Sequence, residues 1–336
     1  MTQPIAPLLE RALNSRADLF NAPHETAFRI FNGFTEGQPH LSLDLYAGTI
    51  LFHNYHPDTA EGLALVKETQ VFIQNHTVFS KWLHAGIVKS RSSNSPEERR
   101  GTLLFGEKPD RKIKEHGVWY AIDLTMNRDA GFYLDTSNLR KWLIENMDGK
   151  SILNAFAYTG SLGVAATAGG AGRVFQLDRN RRFLNLVKDS YSLNGFVIDK
   201  SDFIHADFFP AVGKFKRTKQ FFDCVILDPP FFSRTARGRV DQENDRKRLI
   251  NKVRPLIKDG GTIIAVNNAL YVSGREYMKT LEALCQDGYL KIRQLIPVPE
   301  DFTGYNTSAV PFTDPAPFNH STKIAILEIR KKAGKL

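Results

Sequence analysis

Phe221-Phe222-Asp223-Cys224-Val225-Ile226-Leu227-Asp228-Pro229-Pro230-Phe231-Phe232 is the stretch whose reading decides the fold. Up to Leu227 it is apolar at almost every position, the pattern of a strand covered on both faces of a sheet. Asp228-Pro229-Pro230 ends that strand, because two successive prolines remove two ladder donors. The prolines form a stiff lip carrying an acid and two aromatic rings. In an open α/β sheet, ligands sit just beyond the carboxyl ends of the strands. Asp228, the rigid Pro229 carbonyl and the Phe231 ring can hold a planar, amine-bearing group there. Taken alone, the stretch reads equally well as a strand end with a stiff turn, so the pattern on either side has to decide.

From about residue 119 to the end at 336, apolar strand-like runs alternate with helical stretches. The runs are Ser151 to Phe156, Arg173 to Leu177, Asp202 to His205, Phe221 to Leu227, Thr262 to Val266, Leu290 to Ile296 and Lys323 to Ile329. Helices are predicted at Ser161 to Ala168, Arg181 to Leu193, Phe208 to Phe215, Gln242 to Ile257 and Gly274 to Gln286. Such alternation argues for a mostly parallel, doubly wound sheet. Residues 1 to 118 read differently, as a small α+β domain. Ile5 to Asn21 is an amphipathic helix. Phe28 to Phe31 runs into a turn at Asn32-Gly33, and Leu41 to Tyr46 and Ile50 to Phe52 alternate as a hairpin across Ala47-Gly48. A helix at Glu61 to Asn75 and a strand at Trp82 to Val88 complete the domain.

The 336 residues are enough for two domains, and the net charge of +9 favours an anionic partner such as nucleic acid. Two cysteines, Cys224 and Cys285, stand at no metal-ligand spacing, which argues against a zinc site or disulfide scaffold and fits a reducing cytoplasm. No signal-peptide core and no membrane-length apolar run is present in the sequence, so no membrane partner is expected.

The first βα loop of the expected sheet is Asn154-Ala155-Phe156-Ala157-Tyr158-Thr159-Gly160. A dinucleotide fingerprint needs three spaced glycines to bring backbone against pyrophosphate, and this loop has one. Strand two ends at Asp178, placed to accept from both hydroxyls of a ribose. Strand three is followed by Asp207-Phe208, an acceptor for an exocyclic amine beside a ring that can cover an adenine. Each acid alone reads as readily as a helix N-cap. The order of Gly160, Asp178, Asp207 and Asp228-Pro229-Pro230 after strands one to four describes a pocket for an adenosine without a phosphate tail. That suggests S-adenosyl-L-methionine as cofactor.

With these residues in view, the chain resembles the class I methyltransferases, and within them the bacterial 23S ribosomal RNA 5-methylcytosine and 7-methylguanine enzymes. Four stretches carry the resemblance: Ala130-Gly131-Phe132-Tyr133-Leu134-Asp135 with Asn138 and Arg140; Asn154 to Gly160; Asp228 to Ser233; and Phe28 to Tyr46 with Asn32-Gly33, Gly37, Pro39, Leu41 and Asp44. The resemblance implies a Rossmann-like seven-stranded sheet with a final antiparallel hairpin, preceded by a small RNA-binding α+β domain. It implies cofactor contacts at Tyr133, Asp135, Arg140, Asn154, Phe156, Tyr158, Asp178, Asp207 and Asp228, with Arg140 open to the plainer role of pairing with Asp135. It implies an RNA substrate, 23S rRNA, in the cytoplasm, with a monomer and a homodimer both open. Many relatives begin with an extra RNA-binding module, for which this chain leaves no room.

The 5-methylcytosine enzymes also carry a cysteine after strand five, where this chain reads Ala265-Val266-Asn267-Asn268. Carbon 5 of cytosine must be activated by a thiolate adding to carbon 6. Cys224 lies inside a strand and Cys285 near a helix end, so neither is a credible nucleophile and a nitrogen target is expected. Guanine N7 already presents a lone pair and needs only alignment; the 7-methylguanine relatives resemble this chain in an Asn-Asn pair, which makes Asn267 a candidate catalytic residue. An exocyclic amine is the rival, held by Asp228 and Pro229 with Phe231 stacked on the base. Asn267 and Asn268 also read as simple caps of the sheet edge.

Two basic segments suit a large anion: Lys89, Arg91, Arg99, Arg100, Lys108, Arg111, Lys112 and Lys114, and then Arg234, Arg237, Arg239, Arg246, Lys247, Arg248, Lys252 and Arg254. Both also read as solvated surface, with Arg234 to Arg239 expected as a mobile loop. The stretch from Pro297 to His320 reads as a lid with Phe302, Tyr305, Phe312 and Phe318 as stacking candidates. A methyltransferase of protein or small molecules, and a non-catalytic RNA-binding relative, are the alternatives.

Overall fold

The computed structural model describes residues 4–235, 238–241, 246–305, 314, 316–318 and 320–331, with backbone only at Phe232, Arg234, Thr235, Arg239 and Arg246. Arg237 and Phe312, and the side chains of Arg234, Arg239 and Arg246, lie outside the described residues. The chain divides into two compact units: Met1–Asp135 with Pro299–Pro311, and Thr136–Val298 with Phe312–Leu336. The break therefore falls after residue 118, and a segment distant in sequence returns to the first unit.

The first unit has a five-stranded sheet of β1 (Ala27–Asn32), β2 (Leu41–Tyr46), β3 (Thr49–Asn54), β4 (Ala85–Ser90) and β5 (Thr102–Phe105), in that order, and a hairpin of β6 (Lys112–Glu115) and β7 (Val118–Ala121). Leu41, Leu43 and Leu45 alternate along β2 and share a core with Leu8, Leu9 and Leu13 of the helix Ile5–Ser15 and with Val66 and Ile73 of the helix Thr59–Asn75. The first helix ends at Ser15, with a 3-10 turn at Ala17–Leu19 carrying the chain on. The expected turn at Asn32-Gly33 is instead the entry to a short helix, Gly33–Glu36. A Cβ on Gly33 would lie 1.9 Å from the Gln38 carbonyl oxygen, so a glycine is needed for that close approach.

The other face of β2 is polar and also buried. Asp44 accepts a forked pair of bonds from Arg29 Nε and Nη2, at 2.7 and 3.2 Å, and lies 2.9 Å from His53 Nε2. Arg91 Nη2 sits 2.9 Å from His53 Nδ1. A guanidinium only donates, so Nδ1 accepts, Nε2 carries the proton, and His53 is neutral. Burial pushes His53 down to about 4 from 6.5. A depressed folded-state value means stability present above pH 6.5 and lost as pH falls through that window toward 4. Unfolding followed across this range should show that loss, and His53→Gln should flatten it.

Lys89 is no part of a phosphate-contacting surface. It is fully buried on β4 and donates to the carbonyls of Asn127 and Asp129, at 2.8 and 3.0 Å. Burial, with Arg91 nearby, lowers its pKa to about 7.

The second unit is a seven-stranded sheet of β8 (Ser151–Ala155), β9 (Arg173–Asp178), β10 (Phe203–His205), β11 (Phe222–Leu227), β14 (Ile257–Asn267), β15 (Leu290–Ile296) and β16 (Lys323–Ile329). Between β11 and β14 lies the hairpin of β12 (Phe232–Thr235) and β13 (Gly238–Asp241). The sheet order is β10-β9-β8-β11-β14-β16-β15, parallel up to β14, with β16 antiparallel to both its neighbours. Two cores explain why β11 is apolar along its length. Cys224 and Ile226 face one, with Leu139, Leu143 and Leu162; Val225 and Leu227 face the other, with Val212, Leu249 and Leu281. Among the described residues no helix is long and apolar enough to cross a membrane.

Candidate cofactor and substrate site

The strand order reverses between β8 and β11, and a doubly wound sheet opens its ligand crevice at such a switch point. The residues expected after strands one to four meet at this end of the sheet. Phe156, Tyr158 and Gly160, in the loop after β8, have φ of +62°, +52° and +77°. Left-handed conformations at two aromatic residues cost energy, and such strain gathers at ligand sites. Gly160 caps the helix Ser161–Ala168, and a Cβ there would stand 2.5 Å from Val187 Cγ2.

Asp178, at the end of β9, accepts from the Tyr158 backbone N–H and from the Asn180 N–H, each at 2.8 Å. It thereby fixes the strained loop. The Arg179 backbone N–H also favours the ionised carboxylate. Burial raises the Asp178 pKa above its ordinary value, against the lowering effect of those N–H groups. Asp207 accepts from Phe209 N at 3.3 Å and so acts as an N-cap of the helix Phe208–Arg217. Phe208 is a core residue stacked on Phe156 at 4.6 Å, so the ring it covers is Phe156, the partly exposed member of the pair.

Asn154 is buried in the sheet and donates to Gln176 Oε1 at 2.9 Å; Gln176 in turn reaches the Tyr191 hydroxyl at 3.4 Å. Its side chain thus belongs to a polar chain inside the sheet. Arg140, on the helix Ser137–Asn146, is fully buried and donates to Thr136 Oγ1 at 2.8 Å. Tyr133 and Asp135 fall in the first unit, where the half-exposed Tyr133 donates its hydroxyl to Asp129 Oδ2 at 3.1 Å.

At the lip, Asp228 is partly exposed, Pro229 buried and Phe231 42 % exposed. Asn267 is buried at the end of β14, and its Oδ1 accepts from Ala269 N at 3.3 Å, which is the capping role. A cavity of about 30 Å³ lies behind the lip, lined by Leu227, Pro229, Ile250, Val266, Asn267 and Tyr277 among others. That is room for about one water, not a base.

Several expectations change here. Residues 232–235 and 238–241 pair as antiparallel strands where a loop was expected, and Arg179 Nη1 donates to Ser233 Oγ at 3.2 Å. Residues 242–245 are outside the described residues, and the helix runs Arg246–Val253. The described rings of the 297–320 stretch, those of Phe302, Tyr305 and Phe318, are occupied. Phe302 lies under the Arg29 guanidinium at 3.7 Å and Tyr305 under Arg16 at 4.9 Å, while buried Phe318 packs on Tyr277. Gln176 and Tyr277, whose hydroxyl donates to the Ala265 carbonyl at 3.1 Å, were missed because interior polar residues carry no periodic signal.

The donor chemistry fits S-adenosylmethionine: carboxylates at the ends of β9, β10 and β11, and a strained first loop with a single glycine in place of the three that cradle a pyrophosphate. The model of the S-adenosylmethionine-dependent methyltransferase family matches residues 40–303. The Bacillus subtilis protein YwbD, a candidate ribosomal RNA large subunit methyltransferase, is 28% identical over 88% of this chain and 74% of its own length. Ribosomal RNA large subunit methyltransferase I of Photobacterium profundum is 24% identical over 80% of this chain and 67% of its own. The structure of SMU.776 complexed with SAH shares the fold, with a TM-score of 0.83 and 22% identity, covering 96% of this chain and 80% of that one. The strand order, the strand-end acids and the family match lead to one assignment: the chain belongs to the S-adenosylmethionine-dependent methyltransferases.

Proposed function

We propose that this enzyme methylates a base of large-subunit ribosomal RNA at a nitrogen. The observation that carries the reading is the lip: an acid, a rigid proline carbonyl and an exposed Phe231 on the strand beside the switch point. The cofactor, when bound, supplies an electrophilic methyl on a sulfonium. Asp178 and Asp207 would accept from its ribose hydroxyls and adenine amine, and the Phe156–Tyr158 loop would bound it. Asp228 and the Pro229 carbonyl would accept hydrogens of the target base and hold the nucleophilic nitrogen in line, with Phe231 stacked on its face. Positioning of this kind can supply most of the rate. The named substrates of YwbD and of methyltransferase I support large-subunit rRNA. The net charge of +9 and the exposed Lys108, Arg111, Lys112, Lys247 and Arg248 suit a phosphate backbone. The first unit is the candidate RNA-docking domain.

Carbon-5 chemistry is disfavoured by the thiols. Cys224 is fully buried, and burial pushes its pKa up to about 12; burial also raises Cys285. Cys224 is closed off in the core, and Cys285 stands at the C-terminal end of the helix Gly274–Cys285, away from the strand ends. Transfer of labelled methyl from S-adenosylmethionine to unmodified large-subunit rRNA tests the function. Transfer should persist within a few-fold in Cys224→Ala/Cys285→Ala; abolition in a folded double variant would restore carbon 5 as the target.

Asp178 predicts a pH dependence. Its folded-state pKa lies above its unfolded value, so its ionisation costs the unliganded fold stability as pH rises through the folded value. Hydroxyl donors favour the ionised form, so affinity for S-adenosylhomocysteine should fall as pH drops through that raised value, by up to about tenfold per unit. Calorimetric titration should show this slope, and Asp178→Asn should bind weakly with no slope; an equal slope in the variant would assign the titration elsewhere.

A further inference from the structure

Beyond β14 the chain makes a tight turn, with Val272 N bonded to the Ala269 carbonyl at 3.3 Å. Ala269 and Val272 are buried at 0% and 3%, whereas the two residues between them, Leu270 and Tyr271, are 73% and 78% exposed. Central turn positions ordinarily take Gly, Pro, Asn, Asp or Ser. Here a large aliphatic and an aromatic side chain are turned outward on a turn whose ends are fixed. Asn267 Oδ1 accepts from Ala269 N, and buried Lys323 donates to the Ala269 carbonyl at 3.3 Å. Among the described residues, Tyr271 makes no hydrogen bond or ring contact, so folding does not account for it.

The position of this turn gives the exposure a meaning. β11 and β14 are adjacent and parallel, with Leu227 beside Ala265, so the Asp228–Phe231 lip and the Asn267–Val272 turn leave the sheet at the same end. Neighbouring strands lie about 4.8 Å apart. The cavity behind the lip is lined by Pro229, Asn267 and Ile250 together, which joins the helix Arg246–Val253 to both. That helix carries exposed Lys247 and Arg248. Exposed aromatic and basic groups at one end of a sheet are the combination that holds unpaired nucleotides: stacking takes the base and cations take the backbone.

We propose that Tyr271, with Leu270 beside it, is an RNA-contact residue that stacks on an unpaired nucleobase next to the target, and that Asn267 is a positioning residue that sets the turn. This rests on the RNA-base reading of the lip. The stacked base would be a neighbour of the one at Phe231, so Tyr271 acts on substrate choice and not on cofactor binding.

The test uses the full chain with in vitro transcribed, unmodified large-subunit rRNA. Tyr271→Ala should raise the RNA KM or Kd about tenfold, the loss expected for one stacked base, with kcat changed less. Tyr271→Phe should restore RNA binding, since the ring and not the hydroxyl makes the contact. The thermal shift with S-adenosylhomocysteine should match wild type in both, which reports folding and an intact cofactor site. If wild type methylates this RNA and Tyr271→Ala matches it in KM and Kd, the stacking role is overturned and the function stands. If wild type neither binds nor methylates the RNA, both fall together.

Discussion

Asp228→Ala should lower kcat for methyl transfer by roughly 100-fold or more, with the unfolding midpoint close to wild type. The expectation rests on where the residue stands. β11 is held on both sides by parallel neighbours, β8 and β14, so the position of its end is fixed by backbone pairing. Pro229 is buried and continues the rigid path, while Asp228 remains partly exposed. Removing the carboxylate keeps the strand pairing that positions the lip but takes away the acceptor proposed to orient the base. A misplacement of about 1 Å can cost 100-fold when catalysis is positioning. Asp228→Asn keeps one carbonyl acceptor and should retain more activity than alanine. Single-turnover transfer separates this loss from weakened binding. Near-normal turnover in Asp228→Ala would remove the lip from the substrate site.

Glu36→Ala should produce the largest loss of stability among single changes in the first unit, about 3–5 kcal/mol, the usual result of stripping the partner from a buried ion. Arg16 is 1% exposed and all five of its N–H bonds are used. Two go to Glu36 as a fork, at 2.9 and 3.0 Å, and three to the carbonyls of Ala12, Arg29 and Asp301. Glu36 also accepts from the backbone N–H groups of Asn32, at 2.7 Å, and Tyr305, at 3.2 Å. One carboxylate thus ties the first helix, the short helix after β1 and residues 299–305. Its loss leaves two N–H groups of the buried guanidinium and two backbone donors unmet, and the charge without its carboxylate. The unfolding midpoint should fall by on the order of 10 °C, and proteolysis within 299–305 should accelerate. Cleavage elsewhere first would mean that the carboxylate does not fasten this segment. Arg16→Lys should be destabilised too, because an ammonium has three donors and no fork.

The sheet of the second unit was legible because its physics is local. Apolar runs covered on both faces alternate with amphipathic helices, and the helices Ser161–Ala168 and Arg181–Leu193 stand at their expected bounds. The strand-end residues followed from topology, since the order of strands determines where Asp178, Asp207 and Asp228 must emerge. Three kinds of feature were hidden. Phe208 and Asn154 lie at the expected strand ends but point into packing and a polar chain, and sequence does not say which way a side chain turns. Asn32-Gly33 has hairpin chemistry, yet Glu36 and its long-range partner Arg16 draw the segment into a helix. Phe302 and Tyr305 suggested a lid by composition, whereas two buried arginines more than 250 positions away hold them. Pairings at such separations leave no trace in a local pattern.

Nucleoside mass spectrometry of large-subunit rRNA from cells with and without this protein tests the base-methylation role most directly. The expected result is the loss of one base-methylated nucleoside bearing its methyl on nitrogen, restored by the wild-type chain and not by Asp228→Ala. Identical nucleoside profiles, or the loss of 5-methylcytidine, would contradict it.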